Sequence, residues 1–286
     1  MITGKTAVLA VIGNPISHSL SPVMHNAALA ELGADYVYVA FAISPENLPA
    51  ALAGFAATGV RGFNVTIPHK QAIMPLLSEL SPEAQAVGAV NTVWRIDSGW
   101  AGTNTDVAGF LAPLKALSRS WEGAQAVVLG NGGAARAVVA GCGQLGMAGV
   151  KVVGRNLERL EAFEHSWQSS PICPPLTVQP WEALPDLLPQ ADLIVNTTPL
   201  GMHPEIETTP LNGADFGQVM AGAIAYDLIY TPRPTRFLAL AAQHGLKTID
   251  GLEMLVQQGA AALEIWLQMR APVDTMRQAL TAYLER

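Results

Sequence analysis

Two side chains of opposite charge stand where short extended segments give way to helices. Lys70 follows a segment that ends at Ile67-Pro68, and Asp106 follows the polar run Asn104-Thr105. A lysine ammonium can donate a proton and a carboxylate can orient it, which is the combination that general acid–base catalysis needs. Each residue also has a structural interpretation, because a single lysine is commonly a surface residue and Asp106 is a good helix N-cap. The pair therefore indicates chemistry only in the company of further polar groups.

Four more polar side chains favour a small-molecule site near this pair. Asn64 and Thr66 are two apart in one predicted strand, so they face the same side of it. Ser19 and Ser21 are also two apart, and two hydroxyls that face one way can hold a carboxylate through neutral donors. The alternative for Ser21 is a plain helix N-cap.

A glycine-rich loop follows a short apolar strand at residues 126–129 and opens a helix. Gly130 allows a tight turn, Gly132 lets a pyrophosphate approach the backbone, and Ala135 permits close packing of helix on strand. Free N–H groups at the helix N-terminus favour a phosphate. A proton-handling pair upstream of such a hydride-carrier site is typical of an oxidoreductase. The loop residues expected to bind the dinucleotide are Gly130, Asn131, Gly132, Gly133 and Ala134.

The end of the next predicted strand, at residues 150–153, indicates which dinucleotide is bound. A site for NAD usually carries an Asp or Glu about 20 residues after the loop, where it binds the ribose hydroxyls. Here Gly154-Arg155-Asn156 follows the strand, and Arg159 lies one turn further. Two guanidinium groups can bind a 2′-phosphate, which favours NADP(H). The alternative is that both arginines are solvated helix residues that pair with Glu158 and Glu161.

The composition limits the class of protein. Half of the 286 residues are hydrophobic and 14% are charged, which excludes extensive disorder. The formal net charge of −7 argues against nucleic acid as the main partner, because phosphate backbones need a basic surface. No charge-free apolar run reaches the roughly 18 residues that a membrane span needs. We therefore expect a soluble protein with a small-molecule substrate, either a monomer or a homodimer.

Cysteine and histidine positions bear on location and on metals. Cys142 and Cys173 make neither a disulfide framework nor a metal-ligand spacing, which favours a reducing cytoplasm. His18, His25 and His69 have no carboxylate or cysteine at a tight ligand spacing, so we expect no metal.

Apolar runs alternate with helical segments along the chain, which predicts an α/β fold with mostly parallel sheets. We expect two domains around a cleft: an N-terminal substrate domain and a C-terminal Rossmann-type dinucleotide-binding domain. Because the last helices are expected to pack back on the first domain, residues 1–106 with 245–286 form the substrate domain, and residues 107–244 form the NADP domain. A hairpin is expected around Asp97-Ser98-Gly99, and a Pro/Ser-rich break at residues 166–175. The predicted strands are residues 7–12, 36–41, 62–67, 89–94, 100–103, 126–129, 150–153, 193–196, 223–228 and 247–249.

Taken together, these stretches resemble the shikimate dehydrogenase family. The resemblance covers nearly the whole chain and is carried by long, ordered motifs. The motifs are Gly13-Asn14-Pro15-Ile16-Ser17-His18-Ser19-Leu20-Ser21-Pro22 with His25-Asn26, Asn64 through Lys70, Gly88-Ala89-Val90-Asn91-Thr92, Gly102-Thr103-Asn104-Thr105-Asp106, the glycine loop, Asn196-Thr197-Thr198-Pro199-Leu200-Gly201-Met202, Tyr226-Asp227 with Tyr230, Pro232 and Thr235, and Gly251-Leu252 with Met254-Leu255 and Gln258.

The resemblance implies an NADPH-dependent reduction of 3-dehydroshikimate to shikimate in the chorismate route to aromatic amino acids. Lys70 and Asp106 match the family's catalytic pair. The residues that match substrate-binding positions are Ser19, Ser21, Asn64, Thr66, Asn91, Tyr226 and Gln258. The residues that match cofactor-binding positions, besides the glycine loop, are Arg155, Asn156, Arg159, Thr197, Thr198, Met202 and Gly251.

Two places depart from the family pattern. Gly154-Arg155-Asn156 stands where the family often has Asn-Arg-Thr, so Gly154 lacks a side-chain donor to the cofactor phosphate and Asn156 replaces a hydroxyl. Asn131 replaces a common Ala, and we expect it to be neutral because the backbone binds there. The arginines are present, so NADP stays the expected cofactor.

Three alternatives remain. A quinate/shikimate dehydrogenase often uses NAD; Ser19 with Ser21, and Arg155 without a neighbouring acid, argue against it, yet a pocket that accepts an added hydroxyl loses little discrimination. A methylene-tetrahydrofolate dehydrogenase has a related two-domain plan but lacks the paired serines and would not need Gln258. A non-catalytic binding protein of the same fold would not need Lys70 or Asp106.

Overall fold

The computed structural model describes residues 1–168, 170–172 and 174–286. Ser169 and Cys173 therefore lie outside the described residues. Both belong to the Pro/Ser-rich stretch predicted at residues 166–175. The chain divides into two compact units. Unit 1 comprises Met1–Gly109 and Leu255–Arg286, and unit 2 comprises Phe110–Met254.

Unit 1 is built on a mixed sheet. The described strands are β1 (Ala7–Gly13), β2 (Tyr36–Ala42), β3 (Gly62–Val65), β4 (Glu79–Leu80), β5 (Thr92–Ile96) and β6 (Gly99–Thr103), in the order β2-β1-β3-β5-β6-β4. β1 runs parallel to β2 and β3, whereas β5 runs antiparallel to β3 and to β6. The predicted hairpin between β5 and β6 is confirmed. The α-helices in the first segment of unit 1 are α1 (Ser21–Glu31), α2 (Leu48–Thr58), α3 (His69–Ala72) and α4 (Pro82–Val87). The next helix, α5 (Asp106–Lys115), begins in unit 1 and ends in unit 2.

Unit 2 carries a sheet whose described strands all run parallel. They are β7 (Gln125–Leu129), β8 (Gly149–Gly154), β9 (Leu176–Pro180), β10 (Leu193–Asn196), β11 (Ile224–Asp227) and β12 (Lys247–Ile249), in the order β12-β11-β10-β7-β8-β9. Its helices are α6 (Gly133–Gln144), α7 (Leu157–His165), α8 (Leu184–Leu187), α9 (Gly213–Phe216) and α10 (Arg236–Gln243). The doubly wound order with a glycine loop after its central strand is the Rossmann-type arrangement predicted from the sequence. The chain then returns to unit 1 through α11 (Leu252–Leu267) and α12 (Val273–Leu284).

The central strands are buried on both faces, which explains their continuous apolar runs. β10 and β11 are buried at every position, as parallel strands covered by helices on both sides require. In unit 1, the core on one face of the sheet joins Phe63 of β3 to Leu48 and Leu52 of α2. These cores fix the strand ends from which the polar residues project.

Several short elements were not predicted. β4 has only two residues, and every residue of β9 is half-buried, so neither gives a clear periodic signal. The start of α4 could have been predicted from the sequence Ser81-Pro82, a good N-cap followed by proline at the first helical position. In the structure the Ser81 side chain accepts a hydrogen bond from the Ala84 N–H. Among the described residues, no helix is long and apolar enough to cross a bilayer.

The strand register brings the polar residues of unit 1 to one edge of its sheet. Ile12 pairs with Val65, so the ends of β1 and β3 lie side by side. Asn64 pairs with Thr92, which starts the antiparallel β5, and Thr92 pairs with Thr103, which ends β6. The loops that follow β1, β3 and β6 therefore leave the sheet from the same edge.

Candidate active site

Lys70 and Asp106 meet at this edge. Lys70 Nζ lies 2.6 Å from Asp106 Oδ2, and the two side chains are 17% and 9% exposed. α3 presents the lysine and the first turn of α5 presents the carboxylate. Partial burial reduces screening of the pair by solvent, while the remaining exposure of the lysine allows proton exchange with water. The structure thus joins the two residues that the sequence proposed as an acid–base pair.

Asn91 holds the carboxylate from its other side. Asn91 Nδ2 donates to Asp106 Oδ1 at 2.8 Å and to Thr105 Oγ1 at 2.9 Å, and its Oδ1 accepts from the Thr105 N–H at 2.7 Å. Nδ2 also reaches Gln258 Oε1 at 3.3 Å, which brings α11 to the same cluster. Asn91 is 2% exposed. Its amide therefore orients Asp106 and links residues that are far apart in the chain.

Tyr38 extends this network and was missed from the sequence. Its hydroxyl donates to Asn64 Oδ1 at 2.6 Å, and Asn64 Nδ2 donates to the Asn91 carbonyl and to Thr92 Oγ1, both at 3.1 Å. Burial raises the pKa of Tyr38, and a hydrogen bond with Ser21 acts in the opposite direction. Hydrogen bonds thus run from Tyr38 through Asn64 to Asn91. A tyrosine hydroxyl in an apolar strand was the available signal, because a buried Tyr O–H needs a partner.

His25 forms the wall behind Tyr38. Its ring stacks on Tyr38 with centroids 4.2 Å apart and lies 5.6 Å from the ring of Trp266. Burial lowers the pKa of His25 to about 3, so the ring is neutral. Within the described chain neither ring nitrogen of His25 has a hydrogen-bond partner, and His69 Nε2 instead lies 2.7 Å from the Ile43 carbonyl. The described residues contain no cluster of three or more His, Cys, Asp or Glu side chains that could hold a metal.

Ser19 and Ser21 lie in the loop after β1 and at the start of α1, and Thr66 directly follows β3, the parallel neighbour of β1. The Ser21 N–H donates to Ser19 Oγ at 3.4 Å, and the Thr66 N–H donates to the Ile12 carbonyl at 2.9 Å. Ser21 is buried, whereas Ser19 and Thr66 are half-buried. A Cβ on Gly13 would stand 2.5 Å from Thr66 Cγ2, so Gly13 is the residue that makes room for Thr66.

In unit 2 the glycine loop has the geometry of a phosphate cradle. Gly130 adopts a φ of +102°, and a Cβ on it would lie 2.9 Å from Thr197 Oγ1. Gly132 caps α6 without any side-chain hydrogen bond, no acid stands in the first turn of the helix, and a Cβ on Gly132 would point into open space. Free N–H groups, a positive helix end and room for a pyrophosphate coincide here. These residues fit a dinucleotide.

The end of β8 carries two exposed arginines. Gly154 is buried, whereas Arg155, Asn156 and Arg159 are exposed. Asn156 Oδ1 accepts from the Arg159 N–H at 2.9 Å and so caps α7. No carboxylate stands at residues 154–157, so the strand end has donors and no acceptor carboxylate for a ribose. This set fits a 2′-phosphate better than a free 2′-hydroxyl.

Arg136 lies on α6 and contacts α7 and the residues that follow it. It was not predicted as functional. It is 5% exposed, and its guanidinium lies 5.5 Å from the ring centroid of Phe163 and 5.0 Å from that of Trp167. Its Nη1 donates to Ser166 Oγ at 2.8 Å. Arg136 therefore acts on α7 through packing, rather than through an exposed charge.

Thr197 and Thr198 use their hydroxyls within the protein. Thr197 Oγ1 donates to the Leu129 carbonyl at 2.7 Å, and Thr198 Oγ1 donates to Asn196 Oδ1 at 2.7 Å. Both residues shape the loop beside Gly130, and Met202, half-buried, follows in the same loop.

Asp227 is a buried acidic residue at the end of β11 that accepts several hydrogen bonds. It accepts hydrogen bonds from Asn196 Nδ2 at 3.0 Å, the Ile229 N–H at 3.1 Å and Thr235 Oγ1 at 2.7 Å. Burial raises the pKa of Asp227 to about 6, against the lowering effect of these three donors. The carboxylate thereby connects the loop after β10 to the loop after β11.

Tyr226 and Gly251 complete the predicted set. Tyr226 is buried in β11 and stacks on Phe110 with centroids 5.4 Å apart. Burial raises the pKa of Tyr226, and its hydroxyl has no hydrogen-bond partner in the part of the chain that the structure describes. A Cβ on Gly251 would collide with the Leu228 carbonyl, so this position needs glycine for close backbone packing.

Comparisons with known proteins identify the family of the chain. The family model described as "Shikimate dehydrogenase substrate binding domain" matches residues 11–93, and the model described as "Shikimate 5'-dehydrogenase C-terminal domain" matches residues 251–281. A curated relative from Trichormus variabilis, named shikimate dehydrogenase (NADP(+)), is 62% identical over 99% of this chain and 99% of its own length.

Solved structures of the family superpose on the whole chain. A shikimate dehydrogenase crystallised with NADP+ is 35% identical, has a TM-score of 0.91 and covers 100% of this chain and 98% of its own. Shikimate 5-dehydrogenase from Thermus thermophilus, in complex with NADP(H) and shikimate, is 37% identical, has a TM-score of 0.84 and covers 96% of this chain and 99% of its own. With the Lys70–Asp106 pair and the glycine loop in place, these likenesses establish that the chain belongs to the shikimate dehydrogenase family.

Proposed function

We propose that the protein catalyses the reversible reduction of 3-dehydroshikimate to shikimate with NADPH, in the chorismate route to aromatic amino acids. The family, the α/β fold, the oxidoreductase activity and the NADP cofactor predicted from the sequence are confirmed by the relatives and structures named above. The observation that carries the chemistry is the 2.6 Å contact between Lys70 Nζ and Asp106 Oδ2. The roles of individual residues that follow are proposals.

Lys70 handles the proton in this scheme. Bound NADPH supplies the hydride that the ring carbonyl carbon accepts. As negative charge develops on the carbonyl oxygen, the Lys70 ammonium stabilises it and donates the proton that completes the hydroxyl. In the reverse direction the neutral Lys70 amine accepts that proton. Assistance of this kind contributes about 10²–10⁴-fold to a rate.

Asp106 keeps the lysine in place and binds a substrate hydroxyl. Its Oδ2 is occupied by Lys70 and its Oδ1 by Asn91, so the carboxylate is fixed before substrate arrives. Thr66, Asn91 and Gln258 supply further contacts to ring hydroxyls, and Asn64 lines the same pocket.

The substrate carboxylate is assigned to Ser19 and Ser21, which offer neutral donors at the end of β1. Tyr226 is assigned to the same carboxylate, since its hydroxyl is unpartnered among the described residues. In unit 2 the N–H groups of the glycine loop would hold the pyrophosphate, and Arg155 with Arg159 would hold the 2′-phosphate. Thr197, Thr198, Met202 and Gly251 would shape the nicotinamide end.

A spectrophotometric assay tests the proposal directly. The purified protein is mixed with shikimate or quinate, each with NADP+ or NAD+, and the absorbance of reduced nicotinamide is followed. We expect the shikimate–NADP+ pair to give the highest kcat/KM. Absence of turnover with that pair would refute the function, and faster turnover with quinate or NAD+ would instead favour the quinate/shikimate relative.

Three further assignments are part of the proposal. We place substrate binding in unit 1 and cofactor binding in unit 2. We place the reaction in the cytoplasm, where NADPH is available and two cysteines need no disulfide. We expect a monomer or a homodimer, which sedimentation analysis would distinguish.

A further inference from the structure

The glycine loop and the end of β8 are in direct contact in unit 2. Gly130 N–H donates to the Val153 carbonyl at 2.8 Å, because β7 and β8 are parallel neighbours with Leu129 opposite Val153. Asn131 follows Gly130 in the loop after β7, and Gly154 follows Val153 as the last residue of β8. The two positions therefore share one corner of the cofactor sheet, beside Arg155.

The side chain of Asn131 lies beside Gly154. A Cβ built on Gly154 would lie 3.5 Å from Asn131 Oδ1, which is ordinary van der Waals contact. The Asn131 side chain thus lies against bare backbone at the end of β8, where no side chain of residue 154 competes with it. Asn131 is half-buried. Its φ is not in the left-handed region, so the loop conformation does not require an asparagine at this position.

The amide of Asn131 is available to a ligand. Within residues 1–168, 170–172 and 174–286, no hydrogen bond is made to either amide atom of Asn131. By contrast, Asn156 at the start of α7 uses its side-chain oxygen to cap that helix. A half-buried amide without a partner among the described residues, beside Gly154 and so close in sequence to Arg155, offers N–H donors where an anion is expected.

We propose that Asn131 is a determinant of the preference for NADP: its side-chain amide takes the place left vacant by Gly154 and donates to the ribose 2′-phosphate beside Arg155 and Arg159. The inference rests on the proposed cofactor of this site. It replaces the expectation that Asn131 has no effect on cofactor binding. It also implies that either position 131 or position 154 must carry a side-chain amide for the 2′-phosphate to be recognised.

Calorimetric binding tests the pair without reference to turnover. NADP+, NAD+, 2′,5′-ADP and 5′-AMP are titrated into wild type, Asn131→Ala, Asn131→Asp and the double variant Asn131→Ala/Gly154→Asn. Because a hydrogen bond to a charged group is lost, Asn131→Ala should raise the Kd for NADP+ and for 2′,5′-ADP by about tenfold. The Kd for NAD+ and for 5′-AMP should change by less than about twofold, since these ligands lack the 2′-phosphate.

The other variants sharpen the result. Asn131→Asp places a carboxylate beside the 2′-phosphate and should weaken NADP+ binding further than Ala does. The double variant should recover most of the lost NADP+ affinity; residue 154 has only Leu160 to displace, with Cδ2 at 3.0 Å from the new Cβ. Asn47→Ala, at an exposed position of unit 1, serves as the matched asparagine control.

The outcomes separate the two claims. If wild type binds neither NADP+ nor 2′,5′-ADP, the proposed cofactor is refuted. If wild type binds both and Asn131→Ala binds them equally well, or loses NADP+ and NAD+ affinity alike, the role of Asn131 in recognising the 2′-phosphate is overturned. Selective loss with Asn131→Ala and recovery in the double variant establishes it.

Discussion

Tyr38 donates its phenolic hydrogen to Asn64 Oδ1 at 2.6 Å, with the ring of His25 stacked behind it. This bond connects Tyr38, through Asn64, to the Asn91–Asp106–Lys70 cluster at the reacting end of the proposed substrate site. Tyr38 and Asn64 therefore belong to the same hydrogen-bonded network as the acid–base pair.

Replacing Tyr38 by Phe should loosen this network. The variant leaves the buried Asn64 oxygen without its donor, so the free energy of unfolding should fall by about 1–3 kcal/mol. The KM for shikimate should rise about 3- to 10-fold with a smaller change in kcat, because the substrate contacts are displaced while Lys70 is untouched. Urea denaturation and steady-state kinetics measure both effects.

A second buried tyrosine provides the control for that stability measurement. The Tyr226 hydroxyl has no partner among the described residues, so Tyr226→Phe should leave the free energy of unfolding unchanged or raise it. Equal losses in the two variants would show that the Tyr38–Asn64 bond is not the cause.

Removing the amine of Lys70 should affect turnover far more than binding. Lys70→Ala should lower kcat by about 10²–10⁴-fold, with the KM for shikimate nearly unchanged, because the proton donor is lost. Lys5→Ala, an exposed lysine of the same unit, is the control. Undiminished turnover in Lys70→Ala would remove the lysine from the mechanism.

Much of this arrangement could be predicted from the sequence, and the parts that could not be predicted have physical reasons. The parallel sheet of unit 2 was predictable because its central strands are buried on both faces and give unbroken apolar runs. In unit 1 the hairpin of β5 and β6 was predictable, but its antiparallel pairing with β3 was not, since the pairing of Asn64 with Thr92 depends on contacts distant in sequence. Tyr38 and His25 were missed for the same reason: their partners lie on other elements, and Trp266 comes from α11.

Asp227 should make stability depend on pH. In the unfolded chain this group titrates near its ordinary pKa of 3.8, whereas burial raises the folded-state pKa to about 6. As pH rises through this window the unfolded state loses its proton first, so the free energy of unfolding falls, by on the order of 3 kcal/mol for this group. Above the folded-state pKa its contribution is constant.

Denaturation of wild type and Asp227→Asn at pH 4, 5, 6 and 7 measures this effect. The Asn variant should lack this part of the fall, while Asp186→Asn, at an exposed position, should keep it. Parallel curves for wild type and Asp227→Asn would contradict the assignment.

Replacing Arg136 by lysine should destabilise the protein. Lysine keeps the charge but cannot stack a planar guanidinium on Phe163 and Trp167, so Arg136→Lys should lower the free energy of unfolding by about 1–3 kcal/mol. The Kd for NADP+ should rise, because α7 carries Arg159. Arg236→Lys, at an exposed position of α10, is the matched control, and equal stabilities of the two variants would count against the stacking.

The order of synthesis gives the return of α11 a further consequence. A ribosome completes Phe110–Met254 before it makes Leu255–Arg286, and domains generally fold as units as they emerge. Gln258 and Trp266 therefore reach Asn91 and Val93 only after the intervening nucleotide-binding fold has been translated. The nascent chain thus completes the unit proposed to hold the coenzyme before it completes the proposed substrate pocket.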